Sequence, residues 1–178
     1  MTGGPIPSDV DAFLAAVPKV ELHLHLVGSA SPATVAKLAA RHPGQGVPTG
    51  EAELAELFRF RDFPHFIDVY TRLNDLVTTA EDVALIVDGC AADLAGQSVV
   101  YAELTVTPYM HERVGLGHRE LASGLAEGRA RAAARGVDLA WIYDIPGQYG
   151  EEATRATLRA ALDDPPDGLV ALGLAGAE

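Results

Sequence analysis

The chain has 178 residues, the size of one domain, and its 48% hydrophobic and 21% charged residues strike a globular balance that excludes wholesale disorder. A formal net charge of −12 leaves no basic excess to release counterions, which argues against nucleic acid and anionic membrane as partners.

From the N-terminus, residues 1–11 lack a basic stretch followed by an apolar run, so no secretory leader is expected. No apolar stretch anywhere approaches ~18 residues, and a soluble, cytoplasmic protein is expected. Ser8, with Asp11 three residues on, is the expected start of a short helix that Pro18 stops. Val20 to Leu26 then alternates strictly. That predicts a strand with one apolar face (Val20, Leu22, Leu24, Leu26) and one polar face (Glu21, His23, His25). Gly28 suits a tight exit from it. Ser31-Pro32 reads as an N-cap followed by proline in the first turn, opening a helix to about Arg41. His42 to Gly50, with two prolines and three glycines, is a loop.

A short helix is predicted around Glu51–Phe58, and Asp62 caps another from Phe63 to about Val77. Thr78-Thr79-Ala80-Glu81 starts a helix that ends at Gly96 and carries the chain's one cysteine, Cys90. A single cysteine excludes an intrachain disulfide, and among Ala, Val and Leu it reads as a core thiol rather than a nucleophile. Val99–Thr107 is the second strand, followed by a loop containing Gly115 and Gly117 and a helix from His118 to Ala134. Asp138–Ile145 is the third strand, Glu151–Leu162 a helix, and Leu169–Leu174 the fourth strand.

Strands alternating with helices imply parallel pairing through right-handed crossovers. The expected fold class is α/β: the first four βα units of a (β/α)8 TIM barrel, with extra N-terminal helices, spanning 1–178. A complete barrel takes about 250 residues. A four-stranded doubly wound sheet is the alternative. The half barrel is favoured because the first strand carries histidines on the face that would point inward, and because no helix follows the fourth strand.

His23 and His25 are the sharpest chemical signal. Residues two apart on a strand share a face, so two imidazoles there can bind one metal ion. They also sit at the C-terminal end of the first strand, where barrel enzymes keep their sites. His42, His65, His111 and His118 read as solvent-facing or packing residues.

The run from Pro18 to Ser29 (PKVELHLHLVGS), followed by Ser31-Pro32, closely resembles the opening of adenosine deaminases of the amidohydrolase superfamily. Val100–Leu104 with Thr107-Pro108, and Gly173–Glu178, resemble two further segments of that family in the same order. The resemblance implies a Zn2+-dependent barrel that removes the 6-amino group of a purine nucleoside by hydrolysis. It makes His23 and His25 two zinc ligands, and Gly176 the glycine whose amide contacts the purine. It places Phe63 and Ile67 where the family has an apolar lid, although Phe63 by itself reads more simply as core packing. The family's third histidine, glutamate proton donor, second-shell histidine and metal-binding aspartate belong to the second half of the barrel. The chain by itself is therefore expected to be inactive.

Three departures from the family pattern bear on substrate. Val27 stands where an acidic residue commonly accepts the ribose 5′-hydroxyl, Thr105 replaces an arginine, and Gly173 and Ala177 replace aspartates. These departures point away from adenosine and towards a nucleoside with a larger, less polar 5′ group. The pattern around Val27, with Asp144-Ile-Pro-Gly, resembles a branch of the family associated with 6-amino-6-deoxyfutalosine. Two non-catalytic readings compete with the deaminase: a half barrel that self-associates as a binding or structural module, and a metal-storage module using His23 and His25.

Overall fold

The computed structural model describes residues 9–176; Ser8, Ala177 and Glu178, each given a role above, lie outside them. Helix α1 (Val10–Ala16) is capped by Asp9, whose carboxylate accepts from the Asp11 amide at 3.0 Å. Strand β1 (Lys19–His25) follows, then α2 (Pro32–Arg41), α3 (Glu51–Leu57), α4 (Phe63–Asp75) and α5 (Ala80–Gly96). Next come β2 (Val99–Val106), α6 (Pro108–Arg113), α7 (His118–Ala134), β3 (Asp138–Pro146), a 3-10 turn (Gly147–Tyr149), α8 (Gly150–Asp163) and β4 (Leu169–Ala175).

The four strands are parallel and lie in the order β1-β2-β3-β4. This order separates the two expected architectures. A doubly wound sheet must reverse direction to put helices on both faces. Right-handed crossovers between strands laid down consecutively put every helix on one face and leave the other to curve inward, as in a barrel.

The core lies between that helical face and the sheet. Ala102, Leu104 and Val106 of β2 and Leu139, Trp141 and Tyr143 of β3 are buried there with Val83, Ile86 and Val87 of α5 and Leu121 and Leu125 of α7. Their period of two leaves Glu103 and Thr105 of β2, and Ala140, Ile142 and Asp144 of β3, on the inward face. Gly124 and Gly128 of α7 have no side chain where Val83 and Val87 of α5 press in, which lets helices α5 and α7 pack in direct contact.

Two local expectations fail. The strict alternation of β1 does not yield an evenly buried apolar face: Leu26 is buried, but Val20 and Leu22 are 61% and 56% exposed. Pairing with β2 shifts register between Glu21 and Leu24, and β1 is a terminal strand of the sheet, so its side chains lack neighbours on one side. The segment after β2 is not simply a loop. Pro108 sits in the first turn of α6, where a missing N–H does no harm, and Pro108 to His111 are buried.

Candidate metal and nucleoside site

The C-terminal ends of the strands open onto a cavity of about 610 Å³. β1 places His23 and His25 side by side in its wall, with ring centroids 5.5 Å apart and planes inclined at 44°. The turn that follows is closed by the Ser29 amide donating to the His25 carbonyl at 2.9 Å. The exit from the strand is tight, as expected, although Gly28 does not use a left-handed backbone in it. It also lines the cavity, and a Cβ at this position would make only ordinary contacts, 3.5 Å from His25 and Tyr70.

Helix α4 forms one wall. Asp62 fixes its start by accepting from the His65 amide at 2.8 Å. Phe63 and Ile67, four residues apart, share its cavity face with Phe66 and Tyr70. Phe63 is 72% exposed and Ile67 41%, so the core-packing reading of Phe63 gives way to an open cavity wall. Behind them Phe60 meets Phe66 edge-on at 5.2 Å, and Phe66 stacks on Tyr70 at 6.1 Å.

The sheet's inward face climbs towards the cavity in successive rungs, of which His25, Thr107, Asp144, Pro146 and Ala175 line it. His25 pairs with Thr105, Thr105 with Ile142 and Ile142 with Ala171. One rung further toward the strand ends lie Thr107, Asp144 and Gly173, and beyond them Pro146 and Ala175. Gly176 follows, with a positive φ of 86° that favours glycine. A Cβ there would run into the Gln148 carboxamide, so glycine is required by space as well as by backbone.

Asp144 is 4% exposed, and its Oδ1 has no hydrogen-bond partner among the described residues. Burial pushes its carboxyl above the ordinary range, offset by the Thr107 hydroxyl, the His25 charge and its own backbone.

Of the residues singled out in the sequence, His23, His25, Phe63, Ile67 and Gly176 therefore meet around one cavity. Thr105 is buried beside His25 in the sheet but is not part of the cavity wall. Val27 is 4% exposed, packed in the hydrophobic core and also not part of that wall. The remaining histidines are engaged elsewhere. His42 Nε2 lies 2.9 Å from Asp82, His118 Nε2 3.0 Å from Glu112, and His65 Nδ1 accepts from the Arg61 amide. His111 is fully buried, hence packing rather than solvent-facing. Cys90 is buried as expected, 3.6 Å from Ser29 Oγ.

Asp144, Tyr70 and Tyr149 of the wall were not identified from sequence as site residues. Asp144 had a legible signal: an acidic side chain in an apolar strand, two residues before its closing proline.

Among the described residues no cluster of three or more His, Cys, Asp or Glu is placed to hold a metal ion. The donor set still fits a metal in part. Two neutral imidazole nitrogens side by side suit zinc, and they supply half of a four-coordinate shell. None of the described helices is long and apolar enough to cross a membrane.

Comparison with known proteins places this chain in a family. Over 173 residues, 96% of this chain, the sequence is 48% identical to the aminodeoxyfutalosine deaminase of Streptomyces avermitilis, covering 48% of that protein. It is 32% identical over 161 residues to the adenine deaminase of Rhizobium etli, covering 90% of this chain and 49% of that protein. Among solved structures, a zinc-bound amidohydrolase from Burkholderia ambifaria superposes with a TM-score of 0.82 at 26% identity, covering 99% of this chain and 49% of that one. The adenine deaminase of Arthrobacter aurescens gives 0.73 at 26% identity, covering 92% of this chain and 50% of that one. The chain thus spans about half the length of the relatives it matches. Residues 18–178 match the adenosine deaminase family model, and the chain belongs to that family.

Proposed function

We propose that this chain forms the first half of a zinc-dependent deaminase that hydrolyses the 6-amino group of a purine nucleoside to a 6-oxo group and ammonia. The substrate favoured is 6-amino-6-deoxyfutalosine, ahead of adenosine. The observation that carries the reading is the pair of imidazoles, 5.5 Å apart, facing a cavity bounded by an aromatic helix and by Gly176. The substrate choice rests on the 48% identity to an aminodeoxyfutalosine deaminase. A cavity wall rich in Phe63, Phe66 and Ile67 suits a nucleoside with a large, weakly polar 5′ substituent.

His23 and His25 would hold zinc, which when bound acidifies water for attack on carbon 6 of the purine. The chain's own residues do the rest of the first half's work. Gly176 offers its amide to the ring, while Phe63 and Ile67 screen the cavity from solvent. The general acid and the remaining metal ligands come from the second half of the barrel, so residues 1–178 alone bind zinc weakly and do not turn over. The exposed Leu172 and Leu174 of β4 favour self-association of the chain when it is studied alone.

Titration calorimetry with zinc at neutral pH tests the metal site. Affinity weaker than micromolar, abolished by His23→Ala, is expected of half a coordination shell. Sub-micromolar binding of one zinc by the isolated chain would mean that other residues complete the site.

A further inference from the structure

We propose that Asp144 accepts hydrogen bonds from the vicinal 2′- and 3′-hydroxyls of a nucleoside's ribose, and so commits the cavity to nucleosides over free purine bases. The inference rests on the deaminase reading of the cavity and deepens it.

One buried group in the cavity is unsatisfied among the described residues. Asp144 lines the cavity, is 4% exposed, and leaves Oδ1 without a partner. Buried polar groups are nearly always hydrogen-bonded, and a carboxylate left alone is among the costliest exceptions. Among the described residues no lysine or arginine lines the cavity to pair with it. The missing partner is therefore a donor on whatever fills the cavity.

Elementary nucleoside chemistry then narrows the choice. An ionised carboxylate only accepts. The ring nitrogens N1, N3 and N7 of a 9-substituted adenine also only accept, so they are not its partners. The base's one donor is the 6-amino group, which in the deaminase reading faces His23 and His25. Those histidines stand on β1, whereas Asp144 is two strands away and one rung nearer the strand ends. At about 4.8 Å between strands and 3.3 Å per residue along them, that separation is on the order of 10 Å. The remaining donors are the ribose hydroxyls, and a 5′-substituted nucleoside keeps only the 2′ and 3′ pair. Two adjacent hydroxyls match the two oxygens of one carboxylate. Asp144 also lies between the histidine rung and Gly176, where a sugar attached to a base held at both places would fall.

Binding of adenosine, 2′,3′-dideoxyadenosine and adenine to the purified protein, wild type and Asp144→Asn, tests the proposal. Adenosine is expected to bind about tenfold or more tightly than its dideoxy analogue, the value of one well-made hydrogen bond to a charged group. Asp144→Asn should erase that difference and leave dideoxyadenosine unchanged. The wild-type comparison needs no variant, so a folding defect in Asp144→Asn does not blunt it. Equal binding of the ribo and dideoxy forms by the wild type overturns the proposal. So does a variant that loses adenine most, because the carboxylate would then read the N9–H of a free base. Ammonia release is scored separately, with zinc present, on a chimaera that joins residues 18–178 to the second half of the Streptomyces avermitilis aminodeoxyfutalosine deaminase. Ribose discrimination without ammonia release defeats the deaminase reading and leaves Asp144 its role, whereas ammonia release with ribose-blind binding does the reverse.

Discussion

His111 shows how one buried side chain sets a pH limit on the fold. It is 1% exposed, and burial pushes its imidazole down from 6.5 to about 4, partly offset by the Val77 carbonyl. The folded protein therefore keeps it neutral, while the unfolded chain takes up a proton below pH 6.5. Its contribution is full above that pH and is lost progressively as pH falls to about 4, where the folded form also protonates. The loss amounts to roughly 3 kcal/mol, at 1.36 kcal/mol for each unit of separation. Urea unfolding of wild type and His111→Gln between pH 7.5 and 4.5 measures it. The wild type should lose stability over this range by that amount more than the variant; parallel profiles would remove His111 as the source. Val27 shows the limit of reading one residue from a family pattern. The pattern assigned it to substrate, but its place in the core ties it first to packing.

At the scale of elements, the contact between α5 and α7 depends on glycine in a helix, where glycine is ordinarily a poor choice. Alanine in a helix interior is better by ~1 kcal/mol. At Gly124, however, a Cβ would lie 2.5 Å from the Ala80 carbonyl and 2.7 Å from Val83. One obstacle is backbone and the other a β-branched side chain held in the core, so neither yields easily. Gly124→Ala should therefore destabilise by about 1–3 kcal/mol, as overpacking does, despite the gain in propensity. Gly96→Ala at the end of α5 meets nothing within 4 Å and should be neutral or slightly stabilising. Thermal unfolding of the two variants decides it; the same sign for both would contradict the packing argument.

Much of this scale was legible in the sequence. Capping residues and prolines marked α2, α4 and α5 because caps are local chemistry: Asp62 and Thr79 each accept from an amide three residues on. Helix α6 was not legible, since its six residues are held by burial of Tyr109, Met110 and His111 against other elements rather than by any period of their own. The exposure of Val20 and Leu22 was missed for a related reason, as strand register is set by the partner strand. In the site, histidines two apart on β1 could be read directly. Asp144, by contrast, becomes meaningful only when β3 is laid beside β2 and β4.

The whole molecule is a sheet whose helical face is packed and whose inward face bears the candidate site. Its terminal strands expose apolar side chains: Leu172 and Leu174 of β4 pair in register with Tyr143 and Ile145 of β3, yet are 49% and 62% exposed because no described helix covers them. In the proposed function His23 and His25 would supply two of the four ligands of a zinc shell. Both features agree with the proposed reading, in which this chain supplies one part of a larger site. The most direct test is deamination of 6-amino-6-deoxyfutalosine, followed by ammonia release with zinc present. It compares the 178-residue chain alone with a chimaera in which residues 18–178 replace the matching half of the Streptomyces avermitilis enzyme. The account predicts no turnover by the chain alone and zinc-dependent turnover by the chimaera that His23→Ala abolishes. Turnover by the isolated chain, or a folded and zinc-loaded chimaera that releases no ammonia, would contradict it.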